Sequence, residues 1–284
     1  MSSLSAYWRL TRCNKPVGIL LLWCPTAIAL WLANKGMPPI KLVLLFFWGT
    51  VLMRAAGCVV NDIADRNIDK HVARTKDRPL TSGEVSLPAA FALLIGLLAC
   101  ALIILLNIPE TCFIWALFSL LITIAYPFCK RFIKTPQLIL GLAFSMGIPM
   151  AYVASGVTFD SQFYLLIVVN FLWIIAYDTM YAMADREDDL RIGVKSTAIY
   201  FADYDRLIIG FILILMQGLW LFWALQYNVS LWFYSLWTVA AGVLTYQQFL
   251  IKDQYPAQCF KAFRISAYYG LCMWLAVVLG ISYI

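Results

Sequence analysis

Nine stretches of this chain come close to the run of about twenty predominantly apolar residues that a helix needs to cross a bilayer. They cover 16–34, 40–60, 88–107, 111–127, 137–155, 162–182, 206–226, 231–250 and 264–283. The composition agrees: 63% of the 284 residues are apolar, the mean hydropathy is +0.82 and 13% are charged, against roughly 25% charged in a soluble globular protein. Eleven tryptophans and fifteen tyrosines suit side chains that anchor spans at the membrane interface. With no linker or low-complexity segment, residues 1–284 are expected to form a single domain. The expected fold class is an all-α integral membrane protein of nine transmembrane helices.

The connections alternate in character. Those around 35–39, 107–110, 156–160 and 226–228 are short and rich in turn residues, whereas 61–87, 128–136, 183–205 and 251–263 are longer and charged. Eighteen of the 21 lysines and arginines lie in the charged connections, their flanks or the N-terminal segment. The positive-inside rule then places the N-terminus and all four charged loops in the cytoplasm. This topology accounts for the net charge of +6 without a nucleic-acid partner. Arg9, Arg12 and Lys15 before an apolar run mimic a secretory signal. The run is long and many spans follow, so it is expected to remain as the first span. The segment is not strongly Arg/Ser-rich, which favours a bacterial inner membrane over a mitochondrial one. The eight cysteines form no C-x-x-C pair, and His71 is the sole histidine. Zinc-ligand spacing is absent, and the cysteines read as small apolar packing residues. His71 itself reads as a loop hydrogen-bonder rather than a catalytic base.

Twelve of the fifteen acids fall in two places, one following the second run and one closing the sixth. In the first, Asp62, Asp65 and Asp69 are spaced three and four apart, and Arg54, Asn61, Asp65 and Asp69 seven, four and four. On a helix, such spacing puts each set near one face. Three aspartates on one stripe repel one another unless a cation lies among them, which points to a divalent metal. In the second, Asp178, Asp185 and Asp189 share a face, with Tyr181 beside them, while Glu187 and Asp188 are expected to point elsewhere. Asp178 lies within an apolar run, where an ionisable residue marks a functional site by default. Facing one another, the two clusters suit Mg²⁺, which completes its shell with substrate phosphates and water. Lys130, Arg131, Arg74, Lys76, Arg78 and Lys195 lie on the same side and suit a diphosphate leaving group. A charged head at the surface and a tail in an apolar, lipid-accessible cavity between spans describe a polyprenyl diphosphate.

Asn61-Asp62-x-x-Asp65-x-x-x-Asp69 and Asp178-x-x-Tyr181-x-x-x-Asp185 resemble the two aspartate-rich motifs of the UbiA superfamily of intramembrane prenyltransferases. Further strings resemble its 4-hydroxybenzoate branch, which serves ubiquinone synthesis. These are Arg12-x-Asn14-Lys15-Pro16-x-Gly18, Arg54-Ala55-Ala56-Gly57-Cys58, Arg74-Thr75-x-x-Arg78-Pro79-Leu80, Tyr126-Pro127-x-x-Lys130-Arg131 and the segment from Asp185 to Ala198. The resemblance implies that Asn61, Asp65, Asp69, Asp178, Asp185 and Asp189 hold Mg²⁺ and diphosphate. It also implies that Lys130 contacts the diphosphate, that Tyr126 lies near the allylic carbon and that Arg54 binds the carboxylate of 4-hydroxybenzoate. A guanidinium inside a span wants an anionic partner, and a benzoate carboxylate is a bidentate match. An internal pair with an aspartate is the alternative for Arg54.

Loop 61–87 is too long for a simple turn and is expected to close over the cytoplasmic mouth as a lid. Two other functions compete with this one. A different acceptor (homogentisate, dihydroxynaphthoate, haem or chlorophyllide) is disfavoured by Arg54 and by the Asp185–Ala198 string. A lipid-diphosphate carrier is disfavoured because the charges gather at one face and not at the midplane.

Overall fold

The structure is a computed structural model that describes residues 3–129 and 131–281. The described residues contain helices and no strand. In chain order the α-helices are α1 (Leu4–Leu10), α2 (Val17–Ala33), α3 (Ile40–Asp65), α4 (Leu87–Leu105), α5 (Cys112–Cys129), α6 (Gln137–Ser145), α7 (Gly147–Ala154), α8 (Ser161–Ile192), α9 (Thr197–Phe201), α10 (Asp205–Gln226), α11 (Leu231–Leu250) and α12 (Pro256–Ile281). Each expected run is occupied by helix, the fifth by α6 and α7 on either side of Met146. Seven helical stretches among the described residues are long and apolar enough to cross a membrane. Helix α2 is apolar but shorter, with 17 residues, and α11 falls outside the set.

The helices divide into an inner and an outer group. Helices α2, α8 and α12 pack against one another. The most apolar part of α8 is 61% buried within the protein, whereas that of α4 is 6% buried. An apolar helix buried so little is suited to contact with lipid, so α8 is central and α4 peripheral. Cys24, Cys58, Cys112 and Cys259 are buried, as small packing residues would be.

Three elements run past the expected span limits. Helix α8 continues ten residues beyond 182, so the first ten residues of what read as a charged loop are helix. Its start is set by Asp160, whose side chain accepts from the Phe163 N–H at 2.9 Å. Its end is set by Gly193, at φ 73°, a left-handed conformation that glycine adopts without penalty. Between these stops, 32 residues give a helix about 48 Å long, longer than the ~30 Å hydrocarbon core. The surplus carries the second aspartate cluster out of the apolar layer. Helix α12 likewise starts at Pro256, before the expected 264, and α9 forms in the connection to α10.

Helix α3 also passes its expected limit at 60, by five residues, but stops short of Asp69. It ends at Asp65, and Asp69 opens a separate 3₁₀ turn, Asp69–His71. The expected single helical stripe through Asp62, Asp65 and Asp69 is therefore broken. The chain is turned by contacts further along it: the Thr75 hydroxyl donates to the Asp69 carbonyl at 3.0 Å, and Arg78 takes the Asp69 carboxylate.

A small apolar cluster fixes this region. Ala6 and Leu10 of α1, Val59 of α3, Leu80 and Val85 of the loop and Ala90 of α4 are buried together. A polar clamp binds the neighbouring helix ends. Asp205, fully buried at the start of α10, is paired with Arg186 of α8, and Gln254 from the α11–α12 turn contacts both, at 3.1 and 3.0 Å. Removing one partner leaves a buried charge uncompensated. Asp205→Ala is therefore expected to cost about 3 kcal/mol or more, seen as a lower unfolding temperature in detergent, with Lys252→Ala as an unaffected surface control.

Candidate active site

The site is built where the ends of α3 and α8 meet the loop 66–86. Asp62, Asp65 and Asp69 are all buried, so their charge must be met locally. Arg78 donates to Asp62 at 3.0 Å and to Asp69 at 2.7 Å. Arg12, between α1 and α2, donates to both Asp62 oxygens at 2.8 and 2.9 Å. Among the described residues, the arginines that meet Asp62 and Asp69 thus come from two segments, Arg12 before α2 and Arg78 in the loop.

The same loop reaches α8. The Arg74 Nε donates to Asp185 at 2.9 Å, and its Nη2 bonds Asp185 and the Tyr181 hydroxyl. Its guanidinium stacks 4.4 Å from the Tyr181 ring centre and 5.6 Å from that of Phe260 in α12. The Ala73 N–H donates to Asp188 at 3.0 Å. Asp188 therefore does not point elsewhere, as its spacing suggested: it caps the loop, while Glu187 is exposed. Asn61, Asp178 and Asp189 are half-buried on the two helix ends.

Several expected cations are placed differently. Lys195 donates to the Phe132 carbonyl at 3.0 Å, and Arg131 to the Ala64 carbonyl at 3.1 Å, so both hold backbone at the rim. Lys76 is exposed. Lys130 lies outside the described residues. His71 contacts the Asn67 carbonyl at 3.1 Å, as a loop hydrogen-bonder does. Lys15, quoted above only as part of a string, has four arginines as its charged neighbours: Arg12, Arg74, Arg78 and Arg264. No spacing in the sequence links these five cations, which come from three separate segments.

The charge balance is uneven in a way that suits a metal–diphosphate ligand. Burial pushes the Asp69 carboxyl above its ordinary value; Arg78 opposes this, and Asp62 and Asp65 add to it. That corner would accept more positive charge. Burial and the four arginines push the Lys15 ammonium down, so that corner would accept negative charge. Arg74 and Arg78 are both raised: burial works against their charge, but Tyr181 and Asp185 outweigh it for Arg74, and Asp62, Tyr181 and Asp69 for Arg78. The candidate metal donors are all oxygens, which fits Mg²⁺. Among the described residues no three carboxylates converge as a ready cation cage. Magnesium bound by one or two carboxylates and completed by substrate phosphates does not need one.

Arg54 lies in α3, seven residues before Asn61 and so about 10 Å deeper along the helix. It forms no ion pair among the described residues, and its buried Nε has no hydrogen-bond partner. Its guanidinium lies 5.9 Å from the Phe144 ring centre and directly against Gly18, where any Cβ would overlap it. The buried Tyr177 hydroxyl also lacks a hydrogen-bond partner among the described residues. A buried donor without an acceptor is costly, and an anion entering here would satisfy it.

The chain resembles known proteins over nearly its whole length. The model of the UbiA prenyltransferase family matches residues 22–278. The chain belongs to that family. It is 64% identical over 277 residues to the 4-hydroxybenzoate octaprenyltransferase of Legionella pneumophila, covering 98% of each chain. It is 48% identical over 278 residues to the enzyme of the same name from Coxiella burnetii, covering 96% of this chain and 95% of that one. The fold matches a UbiA homolog from Aeropyrum pernix with a TM-score of 0.79 at 20% identity, over 91% of this chain and 96% of that one. It also matches a UbiA homolog from Archaeoglobus fulgidus bound to GPP and Mg²⁺, with a TM-score of 0.71 at 18% identity, over 96% and 99%.

The loop's attachment through Arg74 is directly testable. Arg74→Ala is expected to speed amide hydrogen exchange across residues 72–78 by about tenfold or more. Lys76→Ala, which removes an exposed side chain from the same loop, should leave that exchange unchanged.

Proposed function

We propose that this chain transfers a polyprenyl group from a polyprenyl diphosphate to carbon 3 of 4-hydroxybenzoate, releasing diphosphate, as a step of ubiquinone biosynthesis. The observation that carries the reading is the half-buried Arg54 guanidinium, whose buried Nε has no hydrogen-bond partner and which pairs with no carboxylate among the described residues, beneath two aspartate-bearing helix ends. Near full-length similarity to proteins named 4-hydroxybenzoate octaprenyltransferase supports it.

The residues divide the work by depth. At the cytoplasmic end, Asn61, Asp65 and Asp69 on one side and Asp178, Asp185 and Asp189 on the other are the proposed Mg²⁺ donors; a UbiA homolog bound to GPP and Mg²⁺ supports that choice of ion. Bound Mg²⁺ would neutralise the diphosphate and stabilise it as a leaving group. Arg74 and Arg78 are placed to contact its oxygens, with Lys130 as a further contact and Arg131 and Lys195 at the rim. The bond between the allylic carbon and the diphosphate oxygen breaks, and its electron pair leaves with the diphosphate. The rings of Tyr126 and Tyr181 face the resulting allylic cation and favour positive charge over their surfaces. Arg54 holds the acceptor's carboxylate, so that the carbon ortho to the phenol hydroxyl meets the cation. A carbon–carbon bond forms, and the displaced ring proton passes to a nearby carboxylate or to the departing diphosphate. Loop 66–86 acts as the lid that keeps out water, which would quench the cation.

For the membrane arrangement we propose nine spans in a bacterial inner membrane, with the N-terminus and the site facing the cytoplasm and the polyprenyl tail in lipid-accessible apolar space between helices. The one-sided distribution of lysine and arginine supports that orientation.

The chemistry is tested with detergent-solubilised or reconstituted protein, Mg²⁺, a polyprenyl diphosphate and a panel of aromatic acceptors, with products read by mass spectrometry. Prenylated 4-hydroxybenzoate should dominate, and prenylation of another acceptor in preference would defeat the assignment. Asp65→Asn and Asp185→Asn should each lower kcat by about a hundredfold or more, while Glu187→Gln stays near wild type. Arg54→Gln should raise KM for 4-hydroxybenzoate by about tenfold or more with little change in KM for the diphosphate. Gly18→Ala, which crowds that guanidinium, should move the same constant in the same direction. Arg78→Gln should weaken use of the prenyl diphosphate; unchanged kinetics would remove the lid from the mechanism.

A further inference from the structure

We propose that Asp62 is a positioning residue and not a metal ligand: its carboxylate anchors Arg12 and Arg78, and so sets where Arg78 meets the diphosphate. This rests on the reading of the site as a diphosphate site.

Asp62 is 1% exposed, and both its oxygens are taken up by guanidinium donors. Arg12 donates to both oxygens from a single Nη2, and Arg78 adds a third bond from Nη1. The α3 spacing explains the separation from its neighbours. Asn61 and Asp65 follow Arg54 by seven and eleven residues and share its face. Asp62 is turned about 100° from Asn61, toward α1 and the loop. Three guanidinium bonds take three of the carboxylate's roughly four lone-pair sites, and the side chain is buried, so little of it is open to an incoming cation.

Its partners are the parts that need fixing. Arg78 is carried by a loop and bonds Asp69 through the same Nη1 that it gives to Asp62. The guanidinium is thus held between an anchor and a candidate metal donor. Arg12 takes φ 60°, a left-handed conformation rare for a non-glycine residue, and its Nη1 bonds the Arg9 and Leu10 carbonyls. The turn after α1 is thereby tied to the same carboxylate. Behind it, Leu10 and Leu80 lie in one buried cluster, so the two arginine-bearing segments share an apolar support.

Asp62→Asn keeps the side chain's size and removes its charge. In reconstituted full-length protein, it should raise KM for the polyprenyl diphosphate by about tenfold or more. Maximal kcat and the Mg²⁺ concentration for half-maximal activity should stay within about twofold of wild type. Asp65→Asn, measured alongside, should instead shift the Mg²⁺ requirement. If Asp62→Asn shifts the Mg²⁺ requirement as Asp65→Asn does, Asp62 is a ligand and the proposal fails. It fails equally if KM for the diphosphate does not move. Arg12→Gln, which leaves the Asp62–Arg78 bond in place, gives a second arm should Asp62→Asn not fold. It should raise the same KM by a smaller factor, and an unchanged KM overturns the anchor. Tryptic cleavage after the exposed Lys70 and Lys76 reads the loop without any turnover. It should be faster in Asp62→Asn and in Arg12→Gln than in wild type, and equal rates overturn the anchor. If wild-type protein yields no prenylated acid, the functional reading fails while the proteolysis arm still judges Asp62.

Discussion

Negative charge gathered at neighbouring ends of two helices has to be neutralised where water is scarce, and this requirement organises that end of the molecule. A buried carboxylate without a partner is too costly to keep. Arg78, shared between Asp62 and Asp69, and Arg74, gripping Asp185 against Tyr181, meet that need from one loop. The loop is therefore ordered by the charge it neutralises. Its apolar residues Leu80 and Val85 then find a small core with α1, α3 and α4. Both aspartate clusters are joined through this one segment, which makes two distant stretches of sequence into one site.

The electrostatic arrangement also leaves room for exchange. The arginines bonded to these carboxylates are groups suited to bind diphosphate oxygens. A metal–diphosphate ligand brings positive charge for the carboxylates and negative charge for the arginines and Lys15. Each side can then trade one partner for another without exposing a bare charge. Deeper in the bundle the logic differs. Arg54 pairs with no carboxylate among the described residues, and Gly18 leaves its guanidinium the space that any side chain would fill. A cation held in this way favours an anionic ligand over a neutral one of the same shape.

Most of the helices were legible because membrane spans announce themselves through long apolar runs. The site was legible in part. Arg54, Asn61 and Asp65 lie on the helix that their spacing implied, as do Asp178, Tyr181, Asp185 and Asp189 on α8. Asp69 did not follow, because the helix ends at Asp65 and loop contacts turn the chain. The stripe of three aspartates pointed to a divalent metal among them; among the described residues, Asp62 is met by arginines 50 and 16 residues away along the chain. Asp188 was set aside as facing solvent, and it receives a loop amide whose sequence separation is 115 residues. Asp205 read as one more acid near the second cluster, although it is the buried centre of a separate clamp with Arg186 and Gln254.

Sequence alone determined the class of fold, the helical faces and the two acidic motifs, since these depend on short-range periodicity and on the free energy of placing side chains in lipid. It also carried the family, through strings of residues at fixed local spacing. Tertiary structure alone decided which charges meet. Ion pairs form between segments whose separation along the chain is arbitrary, and their partners are chosen by how far each helix runs past the membrane and where each loop returns. That is why α8's extension to Ile192 and α3's end at Asp65 matter as much as the aspartates they carry. Together they place the two helix ends so that a single loop can close over both.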